Sequence, residues 1–182
     1  MLNDETFIIY HSTFIIDMNH LWSPWRLAYI TGERSASGCV FCSALTDDEA
    51  APLLVFRGQT CFVILNLFPY NNGHLLVVPN RHIATLAGAT AEELSEMMEL
   101  TRRSEIALTQ AYAPHGINMG INLGKPAGAG ILDHVHMHVV PRWNGDTNFM
   151  TVVGKTRVLP EELPQTAEKL RPFFEKLASK KL

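Results

Sequence analysis

Charge and cysteine are both scarce in this chain, and no apolar run is long. Charged residues make up 18% of the 182 positions, 15 Lys and Arg against 18 Asp and Glu, for a net charge of −3. That balance argues against a nucleic-acid patch, a disordered charged tail and a membrane-binding basic helix, and leaves a small ligand as the expected partner. The longest apolar stretches fall far short of the roughly 18 residues a transmembrane helix needs, so no membrane partner is expected. Three cysteines are an odd number and too few for a disulfide framework. No basic segment followed by a long apolar run opens the chain, and a cytoplasmic, reduced protein is expected. Also missing are a Gly-x-Gly-x-x-Gly turn between a strand and a helix and a Gly-Lys-Ser/Thr phosphate loop, which disfavours a doubly wound nucleotide fold. No repeat of fixed period and no low-complexity segment is present.

What the chain has is a core's worth of strands around one helix. Its 47% hydrophobic content and its length suffice for one domain without staples. Residues 1–17 hold two apolar runs ahead of a second methionine, Met18, and read either as an arm or as an extension from a misplaced start. The expected division is then 18–155 for the main domain and 156–182 for a helical extension. Leu53–Arg57 and Cys61–Leu65 read as strands joined at Gly58-Gln59, His74–Pro79 as a third and Ile117–Leu123 as a fourth. Cys61, within an apolar strand, is expected to be an inert core residue. Thr90-Ala91-Glu92-Glu93 is a capping-box pattern, and apolar spacing from Leu94 to Tyr112 predicts a long helix whose methionines fill the core. Pro160 to Ser179 predicts a terminal amphipathic helix. The class is α+β, with a mostly antiparallel sheet of about five strands.

The chemistry concentrates in Asp133-His134-Val135-His136-Met137-His138-Val139-Val140-Pro141-Arg142-Trp143. Histidines at alternate positions fit a strand with one imidazole face and one apolar face. Three buried imidazoles each need a partner, so that face is expected to meet a metal, a substrate or both. The preceding loop, Gly124 to Gly130, offers little side chain to shield its amides, and Gly128 and Gly130 are candidates for presenting N–H groups to an anion. Beside such an anion, neutral His136 is a competent nucleophile toward phosphorus and His138 a proton donor to a leaving group. Cys39-Val-Phe-Cys42 supplies half of a tetrahedral metal site, which by itself leaves metal binding open.

His134-Val-His136-Met-His138-Val-Val resembles the His-φ-His-φ-His-φ-φ signature of the histidine triad (HIT) superfamily of nucleotidyl hydrolases and transferases. The likeness runs from about Trp22 to Met150. Leu21–Arg26 together with Pro141–Met150 is most similar to the bacterial branch of diadenosine tetraphosphate phosphorylases and hydrolases. The resemblance implies a HIT-like fold and a homodimer acting on a nucleotide substrate through a nucleotidyl-histidine on His136, with His138 at the leaving group and His74 buttressing the triad. It implies Asn66 at the ribose, Asn122 near the phosphates and Trp143 at a base or at an interface. It also implies that His82 and His134 complete a structural zinc site with Cys39 and Cys42.

One departure stands out. Where other branches carry Ser, Thr or Gln near the end of the loop, this chain has Gly130 and Ile131, so backbone amides and Lys125 are expected to hold phosphate. Three alternatives stay open at this point: an adenosine phosphoramidase, a zinc-stabilised nucleotide-binding protein without turnover, and a metal held by the three alternating histidines themselves.

Overall fold

The computed structural model describes residues 38–46, 51–147 and 159–179. The readings of residues 1–17, of Leu21–Arg26 and of the stretch from 148 to 150 lie outside the described residues.

Five strands form one antiparallel sheet in the order β1-β2-β3-β5-β4, as the α+β reading expects. They are β1 (Leu54–Arg57), β2 (Cys61–Leu65), β3 (Leu75–Pro79), β4 (Gly116–Ile121) and β5 (Met137–Arg142). Every residue of β2 and β3 is buried, because both faces of the sheet's centre are covered. This accounts for their unbroken apolar runs, which a half-exposed antiparallel strand would interrupt with polar residues. On the inner face Val63, Leu65, Leu75, Val77 and Val139 pack against helix α2 (Ala91–Tyr112) and helix α3 (Leu163–Ser179). On the outer face Phe62, Ile64, Leu76 and Val78 are covered by Phe41 and Ala44 of the knuckle around the one-turn helix α1 (Val40–Ser43). Among the described residues, no helix covers the outer side of β5 and β4.

The long helix begins where its capping box predicts. Thr90 Oγ1 accepts from the Glu93 amide, and the Glu93 side chain accepts from the Thr90 amide. Met97, Leu100, Thr101, Ser104, Ala107 and Leu108 are buried at helical spacing. Met98 departs from the expected core role at 59% exposed, since neighbouring helical residues point about 100° apart and only Met97 faces the sheet. The helix ends at Ala113, which takes a left-handed conformation ahead of Pro114.

The β1–β2 turn is clamped by this helix. Glu96 accepts the backbone N–H groups of Gln59, Thr60 and Cys61. A side chain at Gly58 would collide with the Glu96 carboxylate, so the turn needs glycine there. Cys61 is fully buried, and burial pushes its thiol up to about 11, in keeping with an inert core role. Helix α3 inserts Ala167, Leu170 and Phe174 into the same inner core, with Phe174 stacked on Phe56 of β1.

Candidate active site

The histidine tract is not one continuous strand. β5 begins only at Met137, after a bend that carries His134. His136 and His138 are therefore neighbours, with ring centroids 4.8 Å apart, while the His134 ring turns toward the knuckle. Strict alternation would have placed all three imidazoles on one face. The bend is what separates them, and it ties Val135 to the rest of the fold through a 2.7 Å bond from its amide to the Ile83 carbonyl.

Each ring's tautomer follows from its partners. His136 is 6% exposed and donates from Nδ1 to the His134 carbonyl at 2.9 Å, so Nε2 carries the lone pair. Burial lowers its pKa, which keeps the ring neutral. At His74, Nδ1 faces two donors, the Tyr70 amide at 3.1 Å and Asn66 Nδ2 at 3.3 Å, and it must accept. The proton of His74 then sits on Nε2, 3.0 Å from His138 Nδ1. His138 accepts there and keeps its own proton on Nε2. Burial and the neighbouring His136 push the His138 pKa down to about 4. Two adjacent neutral imidazoles thus present opposite characters, a lone pair on His136 and an N–H on His138.

Two aromatic rings absent from the sequence reading hold this arrangement. Phe41 packs against His136 with centroids 4.9 Å apart and against His134 at 5.4 Å. Tyr70 lies nearly parallel to His138 at 6.1 Å. A sequence signal existed for Tyr70, which sits in a Pro-Tyr-Asn-Asn-Gly turn just ahead of His74. Phe41 gave none beyond its place between the two cysteines.

The other expected residues divide. Asn122 lines, together with His138, a cavity of about 430 Å³ on the outer face of β4 and β5. Asn66 is turned inward: its Oδ1 accepts from the Phe68 amide and its Nδ2 reaches His74. The Gly128 amide donates to the Lys125 carbonyl at 3.0 Å, closing a one-turn helix within the loop. Lys125 and Gly130 are exposed in that loop, and neither they nor Trp143 line the cavity. Trp143 is half-buried, and its backbone amide donates to Asp146.

A second cluster lies behind the first. Cys39, Cys42, His82 and His134 offer four ligand atoms that all fall within 4.8 Å of one another. His134 Nδ1 is 3.3 Å from Cys39 Sγ and 3.7 Å from Cys42 Sγ, and His82 Nδ1 is 3.4 Å from Cys42 Sγ. His134 Nε2 donates to the Pro79 carbonyl at 2.9 Å, which leaves Nδ1 as the lone-pair nitrogen facing the sulfurs. Burial and the adjacent Cys39 raise the Cys42 thiol, a tendency that a bound cation would reverse.

Comparison with known proteins agrees with this geometry. A family model described as "HIT domain" matches residues 48–145. An "AP-4-A phosphorylase" of Mycobacterium tuberculosis is 38% identical over 159 residues, covering 82% of this chain and 80% of that protein. A "Bis(5'-adenosyl)-triphosphatase" of Dictyostelium discoideum is 29% identical over 133 residues, 70% of this chain and 89% of that one. Among solved structures, a Zn-bound histidine triad family protein from Mycobacterium smegmatis superposes with a TM-score of 0.63 at 28% identity, over 78% of this chain and 96% of that one. With its triad, its sheet order and a family match over more than half its length, the chain belongs to the HIT domain family.

Proposed function

We propose that this protein cleaves dinucleoside polyphosphates, diadenosine tetraphosphate being the expected substrate, through a nucleotidyl group carried on His136. The supporting observation is the pair of opposite tautomers. His136 Nε2 attacks the α-phosphorus, a P–N bond forms, and the P–O bond to the remaining polyphosphate breaks. The Nε2–H of His138 donates a hydrogen bond to the departing oxygen and stabilises the charge it gains, and the polyphosphate leaves as the anion. The oxygen of water or orthophosphate then attacks phosphorus, the P–N bond breaks with its electron pair returning to His136 Nε2, and the proton of the attacking group passes to solvent. His74 acts through His138, holding it in the donor tautomer. Water as acceptor yields AMP and ATP from the tetraphosphate, whereas orthophosphate yields ADP and ATP. The names of the Mycobacterium and Dictyostelium relatives support this substrate class.

In the same reading Asn122, Lys125, Gly128 and Gly130 lie along the phosphates, Asn66 and Trp143 flank the nucleosides, residues 18–155 are the catalytic unit and 156–182 a helical extension, whose helix α3 packs on the sheet. Cys39, Cys42, His82 and His134 hold a structural zinc ion. Bond lengths of about 2.3 Å to sulfur and 2.0 Å to nitrogen at the tetrahedral angle put sulfur and nitrogen about 3.5 Å apart. The separations of 3.3, 3.4 and 3.7 Å fit. All four positions of the shell are filled by protein, so the ion supplies stability and takes no part in the reaction. Homodimerisation is supported by the exposed edge strand β4, where Met119 is 43% exposed, a surface that invites strand pairing. A cytoplasmic location accords with the free cysteines, and among the described residues no helix is long and apolar enough to cross a membrane.

Mass spectrometry of protein quenched during turnover tests the mechanism: a nucleotidyl adduct on His136 is expected. An active preparation without the adduct refutes the covalent route. Omission of phosphate from the assay identifies the acceptor.

A further inference from the structure

The cavity beside His138 is floored by strand residues, Asn118, Gly120, Val140 and Arg142, to which the proposed chemistry gives no role. β4 and β5 pair in the register Gly120↔His138, Asn118↔Val140 and Gly116↔Arg142, so these six share the outer face of the sheet. Neither glycine has positive φ, and a side-chain carbon added at either would meet nothing within 4 Å. Glycine inside a strand weakens it, so two glycines on the same face call for a reason. Backbone conformation and tight packing are both excluded here. What remains is space: together they leave a low floor on either side of Asn118.

The walls have a definite chemistry. Tyr70, Asn71, Asn118, Asn122 and Thr147 line the cavity along with Met119. Arg142 and Asp146 also meet at this end, but they neutralise each other through bonds of 2.6 and 2.9 Å. Arg142 further donates to Asn118 Oδ1 at 3.0 Å, which orients that amide and makes its Nδ2 the donor offered to a ligand. The cavity is thus amide-rich, walled by an aromatic ring and without net charge. Those features suit a neutral planar ring bearing hydrogen-bond acceptors better than a chain of phosphates.

Its position agrees. His138, Val140 and Arg142 follow one another along the outer face of β5, with His136 just ahead of its start and the cavity running on beyond His138. An in-line displacement sends the leaving group to the side of phosphorus away from the nucleophile. Four residues of strand from His138 to Arg142 span about 13 Å, room for the far part of a leaving nucleotide.

We propose that this groove binds the base of the leaving nucleotide and so distinguishes dinucleoside polyphosphates from substrates with a small leaving group. The inference rests on the function proposed above and adds a second nucleoside subsite to it.

The test compares kcat/KM on diadenosine tetraphosphate with kcat/KM on adenosine 5′-phosphoramidate, whose leaving group is ammonia. Gly120→Val, whose Cβ meets nothing within 4 Å, puts bulk into the groove and is expected to lower the ratio of the two constants about tenfold or more, with Tm and oligomeric state unchanged. Asn118→Ala is expected to lower the ratio about fivefold. Equal losses on both substrates, an unchanged ratio, or a changed oligomeric state with parallel losses would overturn the assignment, the last by making the groove a subunit contact. Should the native protein turn over neither substrate, the proposed reaction fails while the subsite is still decided by calorimetric titration. Diadenosine tetraphosphate is then expected to bind more tightly than AMP, with Gly120→Val abolishing the difference, and equal affinities would end the proposal.

Discussion

His134 and His136 stand two residues apart and use one device to opposite ends. In each, a backbone carbonyl takes the N–H of one ring nitrogen and leaves the lone pair on the other. Pro79 holds Nε2 of His134, so Nδ1 faces two sulfurs. His134 itself holds Nδ1 of His136, so Nε2 faces away from the backbone. The residue type is the same, and both rings are buried and neutral by desolvation. The difference lies in which nitrogen the carbonyl occupies and in what stands opposite the other. A histidine's chemistry here is set by the peptide group beside it.

The comparison breaks most decisively at His136. His136→Ala is expected to lower kcat by about 10⁴-fold or more, with bound zinc and Tm unchanged, as elemental analysis and calorimetry would register. Loss of metal in that variant would mean that the two clusters are not separate. The converse substitution, Cys42→Ser, is expected to release zinc and lower Tm by about 5 °C or more while turnover at low temperature stays within about tenfold. Abolished turnover at unchanged Tm would place the metal in the chemistry instead.

Acid sharpens the contrast on the catalytic side. The His138 pKa falls from its ordinary 6.5 to about 4 through burial and the nearby His136. Between those values the unfolded chain binds a proton that the native ring refuses. Stability is therefore full above about pH 6.5 and declines as pH falls toward 4, by about 3 kcal/mol for this ring. Urea midpoints at pH 7 and pH 5 should differ accordingly, and His138→Gln should reduce the difference. The smallest expected effect is at His74. His74→Phe keeps a buried ring but removes the donor to His138, and it should cost about 10- to 100-fold in kcat with little change in KM. An unchanged kcat would remove His74 from the proton arrangement.

Much of this was legible in the sequence, and the exceptions have physical reasons. β2 and β3 showed as apolar runs, the hairpin as Gly58-Gln59, and the long helix as Thr90 with Glu93, because those signals are local. The four ligand positions came from motif likeness, and the fold brings them together although Cys39 and His134 are 95 residues apart. Alternation misplaced the start of β5, since a period of two carries no mark of the bend at His134. The amides of the glycine loop looked available by composition, yet Gly128 closes a turn onto Lys125. Phe41 touches the histidines only through tertiary packing, which no spacing in the chain records, while Tyr70 is marked only by its turn ahead of His74.

The bond from His136 to the carbonyl of residue 134 reaches further than the geometry of one ring. A peptide oxygen belongs to no particular side chain, so any residue at position 134 that keeps the backbone path can set the tautomer of His136. The metal set enjoys no such freedom, as it needs the imidazole itself. Replacing the cysteines or the ring of His134 therefore leaves the hydrogen bond that aligns His136 in place as long as the backbone path is kept. Of the two clusters, only the set of Cys39, Cys42, His82 and His134 depends on the imidazole at position 134.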